Sequence, residues 1–162
     1  MLVGLCFLVL SCIAGPKVRA DCYNDTSFWT AMKQVWIEFS SENEKSLVIS
    51  AWVANTPEQR AHGFQEVCPS LISDRSLLFS FPVPVRVKFH MTGVAVPLDI
   101  AFIDVSRQII DVQRMVLQDS SQPVRYYQSS KEIYLALETM AGRLDQLRQN
   151  PSQWRMHISS NN

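Results

Sequence analysis

This chain of 162 residues lacks most of the features that announce a function. It carries no excess of positive charge, since 15 Lys and Arg face 15 Asp and Glu. Binding to a phosphate backbone draws on such an excess, so nucleic acid is not an expected partner. No apolar run reaches the roughly 20 residues that a membrane-crossing helix needs. Cys-x-x-Cys and His-x-x-x-His pairs are missing, and His62, His90 and His157 lie far apart in the chain. Neither a metal nor another cofactor is therefore expected. Ser76, Ser80, Ser129 and Ser130 lack a G-x-S-x-G elbow, which argues against a serine hydrolase of that type. Phosphate loops, repeats, low-complexity tracts and interdomain linkers are missing too, and the length is that of one domain.

What is present begins with an apolar tract over residues 2–13, followed by Gly15, Pro16 and Val18-Arg19-Ala20. Short length and a small-residue site predict a secretory signal peptide over residues 1–20, cleaved after Ala20. No Lys or Arg precedes the tract. A competing reading takes Val9-Leu10-Ser11-Cys12 as a lipoprotein processing site, with Cys12 carrying the lipid anchor. Both readings export the protein, to the periplasm or cell envelope, with no transmembrane segment in the mature chain. Cleavage removes Lys17 and Arg19 and no acid, leaving 13 basic and 15 acidic groups and a charge of −2. It also removes Cys6 and Cys12. Cys22 and Cys68 remain, an even pair that an oxidising compartment would join as a disulfide; the alternative is two separate buried thiols.

Residues 21–34 read as an N-terminal leader and residues 35–162 as a single mainly-β domain. Val35, Ile37 and Phe39 alternate with polar neighbours, and residues 47–53 supply a second strand of a hairpin. Thr56-Pro57-Glu58-Gln59 then opens a helix with a capping box, Pro at its first position, an acid in its first turn and Gly63 at its end. Strands are expected over residues 76–81, stopped by Pro82 and Pro84, and over 85–91, where Val85, Val87, Phe89 and Met91 oppose Arg86, Lys88 and His90. Residues 98–105 are apolar apart from Asp99 and Asp104, as in a central strand covered on both sides, with 108–115 as the hairpin partner. A loop with an exposed Tyr126-Tyr127, a strand over 133–137, a helix over 139–149 and a closing strand over 154–158 complete the series. About seven short strands and two short helices predict an antiparallel β-sandwich or partly closed barrel.

Four blocks between Val53 and Asp104 fall in an order and spacing of their own: V-A-N-T-P-E-Q-R-A-H-G-F, L-L-F-S-F-P, F-H-M-T and P-L-D-I-A-F-I-D. Together with Leu137-Glu138 and Ala141-Gly142 they resemble the bacterial and archaeal family of domain of unknown function 192. The resemblance covers residues 35–158 and implies a mainly β fold, often exported. Within it, Thr56-Pro57-Glu58, Arg60, Gly63, Leu78-Phe79, Phe81 and Pro97-Leu98-Asp99 match. The chain departs from the family at Phe64-Gln65, where members usually carry Leu-Met, and at His90-Met91-Thr92-Gly93-Val94, where they carry Trp-Met-Lys-Asn-Thr. Met140 replaces a usual Asn. If members share a site, these replacements imply a different ligand or a lost activity here. The resemblance transfers no catalytic residue.

Asp99 stands out because a carboxylate in an apolar strand is costly unless paired. Arg60 on the helix is the expected partner, either in a buried pair that docks helix on sheet or at the rim of a pocket with His90 as acid or base. Glu138, at a strand end, reads as a cap or surface charge. Two functions stay open: a non-catalytic envelope module binding a small ligand, glycan or protein, and an envelope enzyme, such as a hydrolase, using carboxylate and imidazole. Polar groups converging in a pocket would favour the enzyme; a flat aromatic groove near Tyr126-Tyr127 would favour binding.

Overall fold

The computed structural model describes Cys22, residues 27–42 and residues 44–159. The expected signal peptide over residues 1–20, its cleavage point and the alternative anchor at Cys12 lie outside the described residues.

Strand β1 (Lys33–Ser40) buries Val35, Ile37 and Phe39 and exposes the residues between them. It pairs antiparallel with β2 (Leu47–Ala54), Ile37 opposite Ile49, as the expected hairpin. From β2 the chain passes through α2 (Pro57–His62) and α3 (Pro69–Ile72) into β3 (Ser76–Val85). That crossover lets β3 run parallel to β2, the one parallel pair in the sheet. The remaining strands are β5 (Leu98–Ile103), β6 (Ile109–Met115), β8 (Ile133–Met140) and β9 (Arg155–Ser159). The order of the seven-stranded sheet is β6-β5-β8-β3-β2-β1-β9. Its two edges meet at one end: Gln108 bridges to Arg155, the Ile109 amide donates to the Trp154 carbonyl at 3.2 Å, and the Met156 amide donates to the Arg107 carbonyl at 2.9 Å. The result is a curled half-barrel, mainly β as the alternation predicts.

All six residues of β5 are buried, which confirms it as a central strand covered on both sides. Its side chains divide between two cores. Leu98, Ile100 and Phe102 pack on one face with Leu77 and Phe79 of β3, under Trp29, Phe64 and Met91 from the segments that cover the sheet. Ala101 and Ile103 pack on the other face with Ile37, Phe39, Leu78, Leu135 and Trp154. Trp29 belongs to a short helix, α1 (Ser27–Thr30), and Cys22 just before it is disulfide-bonded to Cys68.

Several boundaries differ from the sequence reading. Pro82 and Pro84 do not stop β3; both are exposed where its pairing with β8 is interrupted between Ser80 and Val85, so neither displaces a ladder hydrogen bond. Of the strand expected over 85–91, Val85 ends β3 opposite Ile133, and only Phe89–His90 forms a strand of its own, β4, paired with β7 (Tyr126–Tyr127) in a small second sheet. The helix expected over 139–149 is shorter, α4 (Asp145–Gln149). Thr139 and Met140 are held in β8 by pairing with β5, and Gly142, at φ 99°, turns the chain before α4 starts. With α1 and α3, the helices number four among the described residues, where two were expected. None of these helices is long and apolar enough to cross a membrane.

Candidate functional site

Two acids are buried in the central strands, and their surroundings are opposite. Asp99 is fully buried in β5. Its Oδ1 accepts from Arg114 Nε at 2.6 Å, and its Oδ2 accepts from the backbone amides of Gly142 at 2.7 Å and Leu144 at 3.2 Å. Arg114 reaches on to Asp145 at 2.6 Å, and Arg148 reaches the same carboxylate at 3.2 Å. The Asp99 carboxylate raises the Arg114 pKa above its ordinary value. The partner expected for Asp99 was Arg60, and the structure corrects this to Arg114. Asp99 and Arg114 stand directly opposite in the β5–β6 hairpin, so the pair forms as the strands register. That register was the signal in the sequence. Asp99 pins β6 and the turn before α4 to the sheet, and it does not line the cavity described next.

Glu138 lies on the opposite face of β8, between Leu77 of β3 and Ile100 of β5. It is 5% exposed, not the cap or surface charge expected. Among the described residues no hydrogen bond or ion pair reaches its carboxyl. Burial without compensation pushes its pKa up to about 8, so it holds its proton at neutral pH. The carboxyl borders a cavity of about 300 Å³ formed where α2, the turn after it, β3 and the segment entering β4 converge.

The cavity collects the other chain positions that bear on chemistry. Arg60 enters from α2, whose start is fixed by a reciprocal cap: Thr56 Oγ1 accepts from the Gln59 amide and Gln59 Oε1 accepts from the Thr56 amide, both at 3.2 Å. One Arg60 nitrogen donates to the carbonyls of Asn55 at 2.8 Å and Ser80 at 3.0 Å, and the guanidinium lies 5.4 Å from the centre of the Phe81 ring. Among the described residues no acid pairs with it, which leaves its other N–H groups available. Gly63 ends α2 at φ 52° and ψ −132°, a region open to glycine, and turns the chain along the cavity wall.

Two imidazoles line the same wall. His62 lies 3.2 Å from its neighbour's carbonyl through Nδ1, which must therefore carry a hydrogen, so a neutral ring keeps Nε2 as an acceptor. His90 accepts the Thr92 amide at Nδ1, at 3.3 Å, so its neutral ring offers Nε2–H as a donor. The His62 ring stacks on Phe28 at 4.3 Å and Trp29 packs 5.4 Å from Phe64, so α1 braces the wall from behind. Lys88 stands at the rim, 5.4 Å from the Tyr126 ring centre. Apolar walls come from Phe79 and Phe89, in edge contact at 5.3 Å.

Arg60 and His90 of the expected polar site thus share this cavity, while Asp99 belongs to another cluster. The Tyr126-Tyr127 pair, expected to be exposed, divides: Tyr126 is exposed, but Tyr127 is buried and its hydroxyl accepts the Val116 amide at 3.0 Å. Among the described residues no three His, Cys, Asp or Glu side chains gather into a metal-holding group.

A family model for domain of unknown function 192, described as Uncharacterized ACR, matches residues 38–153. Among solved structures, a protein of Sinorhizobium meliloti 1021 described as a proposed transcription regulator superposes with a TM-score of 0.67 at 20% identity, covering 78% of this chain and 95% of its own. A protein of unknown function from Novosphingobium aromaticivorans DSM 12444 superposes at 0.65 with 18% identity, covering 77% and 86%. These likenesses show the fold. No curated protein matches the chain. Of the positions that carry the family resemblance, Arg60, Gly63, Phe79, Phe81 and Glu138 line the cavity, and so do the departures Phe64, Gln65 and His90.

Proposed function

The chain belongs to the family of domain of unknown function 192, and we propose that it acts as an exported, non-catalytic envelope module that binds a small ligand in this cavity. The observation that carries the reading is Glu138: an acid nearly sealed in an apolar sheet face, without a partner, facing the cavity. Such a group lowers the stability of the free fold, a cost that supports a role toward something that enters from outside. The volume lies at the small end of the range of roughly 300–1,000 Å³ found for ligand pockets, which favours a small molecule over a glycan chain or a protein. Export is supported by the Cys22–Cys68 disulfide, which is compatible with an oxidising compartment. Signal cleavage after Ala20 belongs to the same proposal, and mass spectrometry of the exported protein checks it: Asp21 at the N-terminus supports it, and a lipid-modified Cys12 replaces it with the anchored form.

A thermal-shift screen of small molecules tests the binding reading, run on the native protein and on Val87→Trp, which fills the cavity from a half-buried lining position. A compound that raises the native Tm and has no effect on the folded variant supports it. Compounds that shift native, Val87→Trp and Glu138→Gln proteins equally would place binding elsewhere.

The enzyme reading keeps one specific observation in its favour, an acid that titrates near neutrality in a cavity with two imidazoles. Against it, no Ser, Thr or Cys lines the cavity, and Glu138 is its only carboxyl among the described residues. Glycoside hydrolysis by paired carboxylates therefore has no second member. One neighbour's regulator description adds no argument for nucleic acid, because the mature chain carries more acids than bases.

A further inference from the structure

The charges around the cavity are arranged in a way that selects among small ligands. Arg60 and Lys88 both line it, and among the described residues neither forms an ion pair with an acid. Arg60 spends one nitrogen on two carbonyls and keeps the rest of its donor fork. Among the described residues the only acid lining it is Glu138, held in the sheet between two apolar neighbours, Leu77 and Ile100, where an ionised carboxylate has no compensating contact. The walls are Phe64, Phe79 and Phe89, with Val87 and Val94. A cavity with unpaired cations, a carboxylic acid and aromatic walls is complementary to a negative head on an apolar body.

We propose that the cavity binds a small organic monoanion of the carboxylate class, its head held by the free N–H groups of Arg60 and by the O–H of protonated Glu138, its apolar body against the phenylalanines. The inference rests on the cavity being the binding site. Glu138 in its acid form is a donor to the anion; ionised, it becomes an acceptor only and repels the same anion. Binding therefore couples to the protonation of Glu138. The charged and titratable groups that share the cavity with it are Arg60 and His62 from α2 and Lys88 and His90 from the β4 segment; from β3 and β5 it meets apolar neighbours. The Glu138→Gln variant isolates this coupling, since its amide donates at every pH.

The test is isothermal titration calorimetry on the oxidised protein with matched series: hexanoate and benzoate, their neutral amides hexanamide and benzamide, and the amines hexylamine and benzylamine. An anion is expected to bind at least tenfold more tightly than its amide or amine at pH 6.5, and to lose at least tenfold in affinity by pH 9. Glu138→Gln, checked for folding by circular dichroism, should keep anion binding and flatten the pH profile. Arg60→Met should lose it, and the conservative Arg60→Lys should restore part of it. Equal or tighter binding of the amides or amines would overturn the anion preference while leaving the cavity as a binding site. A pH profile unchanged by Glu138→Gln would remove Glu138 from the contact and overturn the proposal. Silence from all three series would overturn both the anion preference and the cavity reading.

Discussion

The two faces of the central strands treat a buried carboxyl in opposite ways. On one face Asp99 is surrounded by three donors supplied by β6 and the turn before α4, and each donor also ties a segment to the sheet. On the other, Glu138 is nearly as deeply placed but meets two apolar neighbours and a cavity. Burial alone therefore does not set the state of a buried acid; the supply of donors does. The covering material differs as well. The Asp99 face is closed by the sheet's own curl and by α4, whereas the Glu138 face is covered by α1, α2 and irregular segments that a disulfide and a helix cap hold in place.

The largest test of this contrast is the pH dependence of stability. Glu138 titrates near 4.5 in the unfolded chain and at about 8 in the fold. With the folded value raised, its contribution is fully present below about pH 4.5 and is lost as pH rises toward 8 and beyond. By linkage the native protein should be less stable at pH 9 than at pH 5 by an amount of the order of 4 kcal/mol from this group. Glu138→Gln should remove that slope in urea denaturation measured at both pH values. An identical slope in the variant would show that Glu138 finds a donor in solution.

Reduction of the Cys22–Cys68 bridge, whose cysteines are 46 positions apart, should cost about 4 kcal/mol on the chain-entropy account. The Cys22→Ser, Cys68→Ser double variant checks it by denaturation. A loss near zero would mean that the covering segments hold themselves.

On the other face, Asp99→Ala should cost about 3 kcal/mol. It strips two backbone amides and Arg114 of their acceptor, but Arg114 is part-exposed and keeps Asp145. Arg114→Ala combined with it should cost less than the sum of the two singles. Additive effects would break the pairing. Smallest is Thr56→Ala, which should cost about 1 kcal/mol through loss of the α2 cap, read from the denaturation midpoint.

Much of the sheet was legible because its rules are local. Alternation located β1 and the buried set Val35, Ile37 and Phe39, and the unbroken apolar run located β5. The cap of α2 was legible down to the paired bonds of Thr56 and Gln59. Arg114 was missed because charge and apparent proximity pointed to Arg60, while strand register, which decides contacts across a hairpin, pointed to residue 114. Glu138 was missed for a different reason. Its face of β8 carries little local apolar signal, since Ala136 precedes it there, and the residues that line the cavity with it, such as Phe64 and Val94, come from distant segments. The cavity itself depends on the parallel β2–β3 crossing, which brings α2 beside β3 and which no local pattern announced.

The pairing of β1 with β9 has a consequence for the order in which the chain can fold. Ile37 sits opposite Ile158 and Phe39 opposite Met156, so one edge of the first strand waits for a strand that follows it far along the chain. Contacts of such separation form late, because the intervening chain must first be closed into a loop. Until then β1 presents a free row of amides and carbonyls beside a hydrophobic hairpin, the kind of edge that pairs between molecules. A chain released at residue 153 would keep that edge permanently and lose Trp154 and Met156 from the core. The few residues of β9 therefore decide whether a newly made molecule closes on itself or on its neighbour.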